Sequence, residues 1–371
     1  MKVLFIVSRF WPFVGGLEKH VLECAKGLVK AGHKVTVLTT DSLTPNVPKQ
    51  EIYEGIEIIR KHSLFNIPGT RLPIAPGLYF QLFAGYDVIE TFGCIPLISD
   101  VMFWIAKMKG YNAVYSHLFD PIGPELLFKT KVYKLYKHLL FNRCIKKDDA
   151  ITTLTQDYAE NSMFIGGYKD VTILPSGVDP MFKVKPWKFQ GSKTQKIILF
   201  VGRLDKYKGV TYLIDLMKYI KTPDIQLYIC GKGDESKSLK EQAKENDNIK
   251  FFEGIGDEEL VNMYNLADVF VLPSCSPQEA FGKVTCEAEA CGCPVITTDL
   301  IGVREVAQDC GFVVPQRDPK ALAEAIDEMF HPNNRYMVGD FALNGLRKVE
   351  GLYNWDEITK KRIALYERLK N

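Results

Sequence analysis

The stretch 267–305, ADVFVLPSCSPQEAFGKVTCEAEACGCPVITTDLIGVRE, decides the fold. Its first part, VFVLPS (269–274), is a short apolar run of β-branched and aromatic residues, the composition of a strand buried on both faces. A loop carrying Glu279 follows, a helix opens at Phe281-Gly282-Lys283, and Glu287 comes about a turn further on. The two carboxylates are separated by seven residues where a strand ends and a helix begins, the place where an open α/β sheet puts its ligand. The helix N-terminus offers N–H groups and the positive end of a dipole, which suit an anionic or hydroxyl-rich ligand. A second strand-loop-helix, ILFVGRLDKYKG (198–209), supplies two cations in one loop, Arg203 and Lys208. Carboxylates in one loop and cations in its neighbour fit a ligand that is part sugar and part phosphate.

Outward from this stretch the same alternation repeats. Strands read at 196–202, 225–230, 249–253, 269–273, 294–298 and 311–315, with helices near 209–221, 235–246, 257–267, 281–292 and 319–330. Upstream, strands read at 2–8, 34–40, 87–92, 112–117, 150–155 and 171–174, and LEKHVLECAKGLVKAG (17–32) is the first intervening helix. The βα alternation predicts an α/β protein with parallel sheets and helices on both faces. Between them, 175–195 is rich in Pro, Gly and Lys without a period, and reads as a linker and hinge. The tail, NWDEITKKRIALYERLK (354–370), has the spacing of a closing helix. The expected organisation is a Rossmann-like N-terminal domain over 1–176, a second, ligand-binding Rossmann-like domain over 177–352, and a helix in 353–371 packing back on the first. The two doubly wound sheets are expected to face a cleft.

Composition narrows the function. The chain has 371 residues, 46% of them hydrophobic and 25% charged, and a formal net charge of +2, so no global basic field argues for nucleic acid. Nine cysteines, an odd number scattered through apolar segments and without His at finger-like spacing, read as buried cytosolic thiols, with no metal site. The opening VLFIVS is too short for a secretory core, and the longest apolar stretch, 94–106, is interrupted by Asp100. The expectation is a cytoplasmic protein, able to sit on the cytoplasmic membrane face without crossing it.

Nearly every unusual residue falls just after a strand: Gly15-Gly16, His117, Arg203 and Lys208, Gly231 and Gly233, and Glu279. In parallel sheets these positions gather at the carboxyl edges, and that convergence outweighs any single motif. Taken alone, Gly15-Gly16 is a tight β-to-α turn, and its surroundings lack the G-x-G-x-x-G spacing of a dinucleotide site. Arg203 and Lys208 alone are a solvated basic loop that also holds Lys206. Glu289 reads as an exposed helix position, while Ala288, Ala290 and Cys291 suggest that the helix of Glu287 is largely buried. His117 stands at a strand end, whereas His20, His33, His62, His138 and His331 read as structural or surface residues.

With these residues laid out, the chain resembles the retaining glycosyltransferases of family 4, the group 1 glycosyl transferases of GT-B architecture. The resemblance rests on GGLE (15–18), VGRLDKYKG (201–209), EAFGKVTCE (279–287) and GCPVITTDLIGVREV (292–306). It implies that Arg203 and Lys208 hold the donor pyrophosphate and that Glu287 accepts hydrogen bonds from the ribose. Glu279 would contact the transferred sugar, with backbone around Phe281, Gly282, Lys283 and Val284. Gly15 and Gly16 would lie near the donor phosphates, Gly231 and Ile255 near the base, and His117 by the sugar and acceptor. His117, Arg203, Lys208 and Glu279 are thus the catalytic candidates. The implied enzyme is a metal-independent hexosyltransferase that needs no cofactor. Its donor would be a UDP-sugar or GDP-sugar, and its acceptor a hydroxyl on a lipid-linked carrier or a growing glycan. Two departures stand out: Glu90 or Phe92 occupies a place where many relatives carry His, and Ala280 and Lys283 replace smaller or apolar residues. The competing readings are a non-catalytic nucleotide-sugar-binding regulatory subunit and, less favoured, a sugar-nucleotide epimerase or phosphorylase.

Finally, FKTKVYKLYKHLLFNRCIKK (128–147) is basic with near-helical apolar spacing. It reads as an amphipathic helix for an anionic membrane surface or as an ordinary helix with a solvated basic face. The apolar stretch 64–83 reads as an acceptor loop or a shallow membrane contact.

Overall fold

The computed structural model describes residues 1–13, 15–42, 44, 46–66, 73–80, 85–93, 95–120, 127–189 and 195–370, with backbone only for 127–130, Trp187 and Phe189. Parts of the apolar stretch 64–83 and of the linker 175–195 therefore lie outside the described residues, as do the side chains at the start of the basic helix. The chain forms two compact units, Met1–Ser176 with Trp355–Asn371, and Gly177–Asn354.

Unit 1 begins with β1 (Lys2–Ile6), α1 (Gly16–Lys30), β2 (Lys34–Thr40), β3 (Gln50–Tyr53) and β4 (Ile56–Lys61). A small ribbon, β5 (Phe65–Asn66) with β6 (Pro73–Ile74), precedes β7 (Val88–Phe92), α2 (Ser99–Met108) and β8 (Asn112–Ser116). Next, α3 (Leu127–Tyr136) passes through one π-helical turn, Lys137–Phe141, into α4 (Asn142–Cys144). β9 (Ile151–Thr153), α5 (Gln156–Asn161) and β10 (Val171–Ile173) complete the series. The eight-stranded sheet has the order β10-β9-β8-β7-β1-β2-β4-β3, and β3 is antiparallel to β4. Buried Val, Ile, Leu and Phe fill β1 and β7, which lie at the sheet centre with both faces covered.

Unit 2 runs β11 (Lys196–Val201), α6 (Val210–Leu216), β12 (Ile225–Cys230), α7 (Ser236–Ala243), β13 (Ile249–Phe252), α8 (Asp257–Leu266) and β14 (Val269–Leu272). It continues with α9 (Lys283–Ala290), β15 (Val295–Thr298), α10 (Val303–Ala307), β16 (Gly311–Val314), α11 (Pro319–Met329) and α12 (Arg335–Leu352). Its sheet, β13-β12-β11-β14-β15-β16, is parallel throughout. The last helix, α13 (Trp355–Lys370), belongs to unit 1.

Two buried charged groups differ from the sequence expectation. Glu90, on β7, is fully buried and points into the core of unit 1 rather than toward an acceptor. Its carboxylate accepts from Arg362 and Tyr366 of α13 and from Ser116 of β8, and Ser116 is 2.7 Å from Thr152 of β9. Arg362 also reaches Cys24 of α1 at 3.3 Å and lies 5.6 Å from the Phe92 ring centroid.

Glu289, expected on an exposed face, is only 1% exposed, because α9 is covered by α8, α10, α12 and the sheet. Burial pushes its carboxyl up to about 8 against the lowering pull of Lys348 and the Cys310 thiol. Lys348 is itself held by the carbonyls of Glu305, Val306 and Gln308 at 2.8, 2.8 and 3.0 Å. The folded state keeps this proton longer than the unfolded chain, so stability falls as pH rises between 4.5 and about 8. The slope from this group is at most about 1.4 kcal/mol per pH unit. Glu289→Gln should flatten that decline and raise the unfolding midpoint of unit 2 at pH 8 more than at pH 5. A urea titration at both pH values reads the difference, and equal shifts would assign the gain to packing alone.

Among the described residues no helix is long and apolar enough to cross a membrane. The eight described cysteines are buried, and no disulfide joins them.

Candidate functional site

In unit 2 the chain leaves β11 for β12 and β13 on one side, then returns past β11 to add β14, β15 and β16 on the other. The β11–β14 boundary is therefore the point where the winding reverses, the place where open parallel sheets bind their ligands. Arg203 and Lys208 are in the first loop and Glu279 in the second. The Tyr207 carbonyl accepts the Cys275 N–H at 2.9 Å, joining the two loops.

At the centre Lys208 pairs with Glu279, and both side chains are nearly buried. The other Glu279 oxygen accepts the Gly282 N–H at 3.2 Å, and Ser274 Oγ lies 3.5 Å from the paired one. Burial alone would push the Lys208 ammonium toward neutrality; the charge and hydrogen bond of Glu279, with Tyr207, hold its pKa above the ordinary lysine value. The ammonium also lies 5.4 Å from the Tyr207 ring centroid. Arg203 is more exposed and pairs with Asp205. Burial raises the Tyr207 hydroxyl pKa, and the charges of Lys208, Glu279, Arg203 and Asp205 all reach it. Arg203, Asp205, Tyr207, Lys208 and Glu279 thus form one electrostatic cluster.

Glu279 leads directly into α9. Gly282 caps that helix at φ +74°, and a Cβ there would come 2.8 Å from Leu272 Cδ2, so only glycine fits. The first-turn N–H groups, at Lys283 and Val284, lie where a helix has no internal carbonyl to offer. Both residues are half-buried, and Phe281 is buried edge-on against Tyr353. Glu287, one turn on, is buried and accepts the Tyr264 hydroxyl of α8 at 3.0 Å. The two glutamates of the motif therefore engage different partners. Gly231, after β12, packs against the Lys208 loop: a Cβ there would fall 1.8 Å from Gly202 O. Its fit is to its neighbour's backbone. Ile255 is half-buried in the loop after β13.

The remaining candidates lie in unit 1. Gly15 caps α1, with the Glu18 carboxylate against it, and a Cβ on Gly16 would meet no described atom. Both follow β1, beside the reversal between β1 and β7. His117, the candidate for the sugar and acceptor side, is enclosed by side chains of unit 1. It is fully buried, with Nε2 2.8 Å from Asp120 Oδ1 and 3.3 Å from Ser162 Oγ, and with Tyr115, Phe141, Tyr158 and Phe164 around it. Burial opposes ionisation of Asp120, but the hydrogen bond and charge of His117, with Ser162 and the Met163 N–H, hold its pKa below the ordinary value. β8 lies beyond β7 from the reversal, and its terminal histidine turns into the core. Sequence reasoning also missed Asp205, Tyr207 and Tyr264. Asp205 and Tyr207 stand inside the quoted cation loop; nothing in the sequence marks Tyr264.

Two family models cover most of the chain. Glycosyltransferase Family 4 matches residues 14–182 and Glycosyl transferases group 1 matches 182–338. The chain is a GT-B glycosyltransferase of the group 1, family 4 type. O-antigen chain mannosyltransferase C of Escherichia coli is 25% identical over 100% of this chain and 99% of that protein. Among solved structures, sucrose-phosphate synthase of Thermosynechococcus elongatus superposes with a TM-score of 0.78 at 23% identity, covering 99% of this chain and 98% of that one. Anabaena Alr3699/HepE in complex with UDP gives 0.73 at 19%, covering 99% of this glycosyltransferase and all of that chain.

Proposed function

We propose that this glycosyltransferase takes its sugar from a nucleoside-diphosphate sugar, with retention of anomeric configuration, and passes it to a hydroxyl acceptor. The observation that carries this reading is the buried Lys208–Glu279 pair at the sheet's reversal point, with Arg203 beside it. A buried ammonium with one carboxylate partner is an anion site occupied by a protein group. When the donor diphosphate takes that place, Lys208 and Arg203 bear its charge, and Glu279 is released to accept hydrogen bonds from sugar hydroxyls. Glu287, already accepting one hydroxyl, has the chemistry to accept a ribose hydroxyl as well. Binding of UDP and UDP-glucose by the Anabaena neighbour supports a nucleotide donor.

In the transfer step the bond from the sugar's anomeric carbon to the phosphate oxygen breaks and a bond to the acceptor oxygen forms on the same face. The acceptor proton passes to the leaving phosphate oxygen. Fixed cations carry the leaving charge, so turnover should persist in EDTA. NMR of the product made from an α-linked donor tests the stereochemistry: an α-linked product is expected, and a β-linked product would overturn retention.

We further propose that the acceptor is lipid-linked and that the enzyme works at an anionic membrane surface on its cytoplasmic face. Along α3 and the π-helical turn, Val132, Leu135 and Leu139 are 48, 57 and 46% exposed at one-face helical spacing, with exposed Lys131, Lys134 and Arg143 alongside. Vesicles containing phosphatidylglycerol should pellet the protein at low salt. Leu135→Glu/Leu139→Glu should abolish pelleting, and equal pelleting by wild type and variant would remove this surface from the proposal.

A further inference from the structure

In unit 1, β2 and β4 run parallel with Thr40 paired to Lys61, so Asp41 and His62 leave the carboxyl edge of the sheet side by side. They open a cavity of about 260 Å³, which Ser42, Asn66 and Phe65 also line. Asp41 is fixed: Oδ1 accepts the Ser63 N–H at 2.7 Å, and Oδ2 lies 2.8 Å from His62 Nδ1. Ser42 Oγ donates to Asn66 Oδ1 at 2.7 Å, which orients the amide and leaves its N–H groups as donors. Phe65 is 57% exposed. The loop also connects to the approach to Gly15-Gly16: the buried Arg60 guanidinium donates to Pro48 O at 2.9 Å and to Trp11 O at 2.6 Å.

Chemistry narrows the ligand. The Asp41 carboxylate repels phosphates and other anions, and one carboxylate with one imidazole makes a poor metal site. A fixed acceptor, an oriented amide donor, a hydroxyl and an aromatic face together match a ring of hydroxyls with an apolar C–H face. The volume is just below the ~300–1,000 Å³ of pockets for drug-sized ligands, on the scale of a single ring. We propose that this cavity binds the terminal sugar ring of a neutral carbohydrate acceptor, with Asp41 and Asn66 on its hydroxyls and Phe65 against its C–H face. The word acceptor rests on the transferase reading above; binding of a sugar ring does not.

Saturation-transfer NMR tests the proposal with methyl α-D-mannopyranoside, methyl α-D-glucopyranoside and methyl α-D-galactopyranoside as probes. At least one should receive saturation at its ring protons from the wild-type protein. Asn66→Ala and Phe65→Ala should each weaken it about tenfold. Phe65→Ala changes an exposed side chain, so it keeps the test valid should Asn66→Ala fold poorly. No signal from any of the three glycosides, or unchanged signals in Phe65→Ala, would overturn the cavity. Titrating UDP and GDP into the same samples separates the two readings. No glycoside signal from the wild-type protein, or an unchanged one in Phe65→Ala, with nucleotide binding intact refutes only this cavity; absent nucleotide binding with glycoside binding intact refutes only the donor assignment.

Discussion

Replacing Lys208 with alanine should lower kcat/KM by about 10²–10³-fold, the scale seen when one preorganised charge stabiliser is removed from a transition state. The same change should destabilise unit 2, because Glu279 keeps its nearly buried position without a cation. These two effects separate in a double variant. Lys208→Ala/Glu279→Gln removes the stranded carboxylate, so stability should return toward wild type while activity stays low. If the double variant recovers turnover along with stability, the pair is a structural ion pair and the phosphate role fails. Calorimetric titration with UDP and GDP adds a second readout, since loss of the ammonium should weaken diphosphate more than the free nucleoside.

Replacing Arg362 with methionine should cost unit 1 about 3–5 kcal/mol, the range for breaking a buried ion pair by removing one partner. Glu90 cannot turn to water, because β7 is an interior strand with both faces covered. The loss should appear first where the network is anchored. Hydrogen exchange should accelerate in 355–370 and in the β7 and β8 peptides, with little change in 196–352. Glu90→Gln/Arg362→Met should restore much of the protection, since a neutral amide can still bond Ser116 and Tyr366. Unchanged exchange in Arg362→Met would show that packing alone holds α13.

The parallel strands were legible because a strand covered on both faces is almost continuously apolar. The β3–β4 hairpin also has a signal in the sequence, the alternation in EIYEGIEIIRK (51–61), but a weak one. Its turn is Glu54-Gly55, both at positive φ, with Glu at a position where Asn or Asp is the usual signal. The helix over 335–352 escaped because Gly339, Gly345 and Gly351 dilute its helical character. The cation loop and Glu279 could be read because each stands directly after a strand, where topology alone fixes the position. Glu289 and His117 could not. Whether a side chain in the last turn of a helix, or just past the end of an interior strand, meets solvent depends on which elements cover it, and that is tertiary information.

The placement of α13 has a consequence for how the chain is made. Unit 2 is continuous in sequence and can close as soon as residue 354 has left the ribosome. Unit 1 begins emerging first but must wait for its final helix: until Arg362 is delivered, a carboxylate on its central sheet has no cation. A released chain truncated after residue 354 should therefore present a folded second half beside an unfinished first half, which is the half that would require chaperone protection.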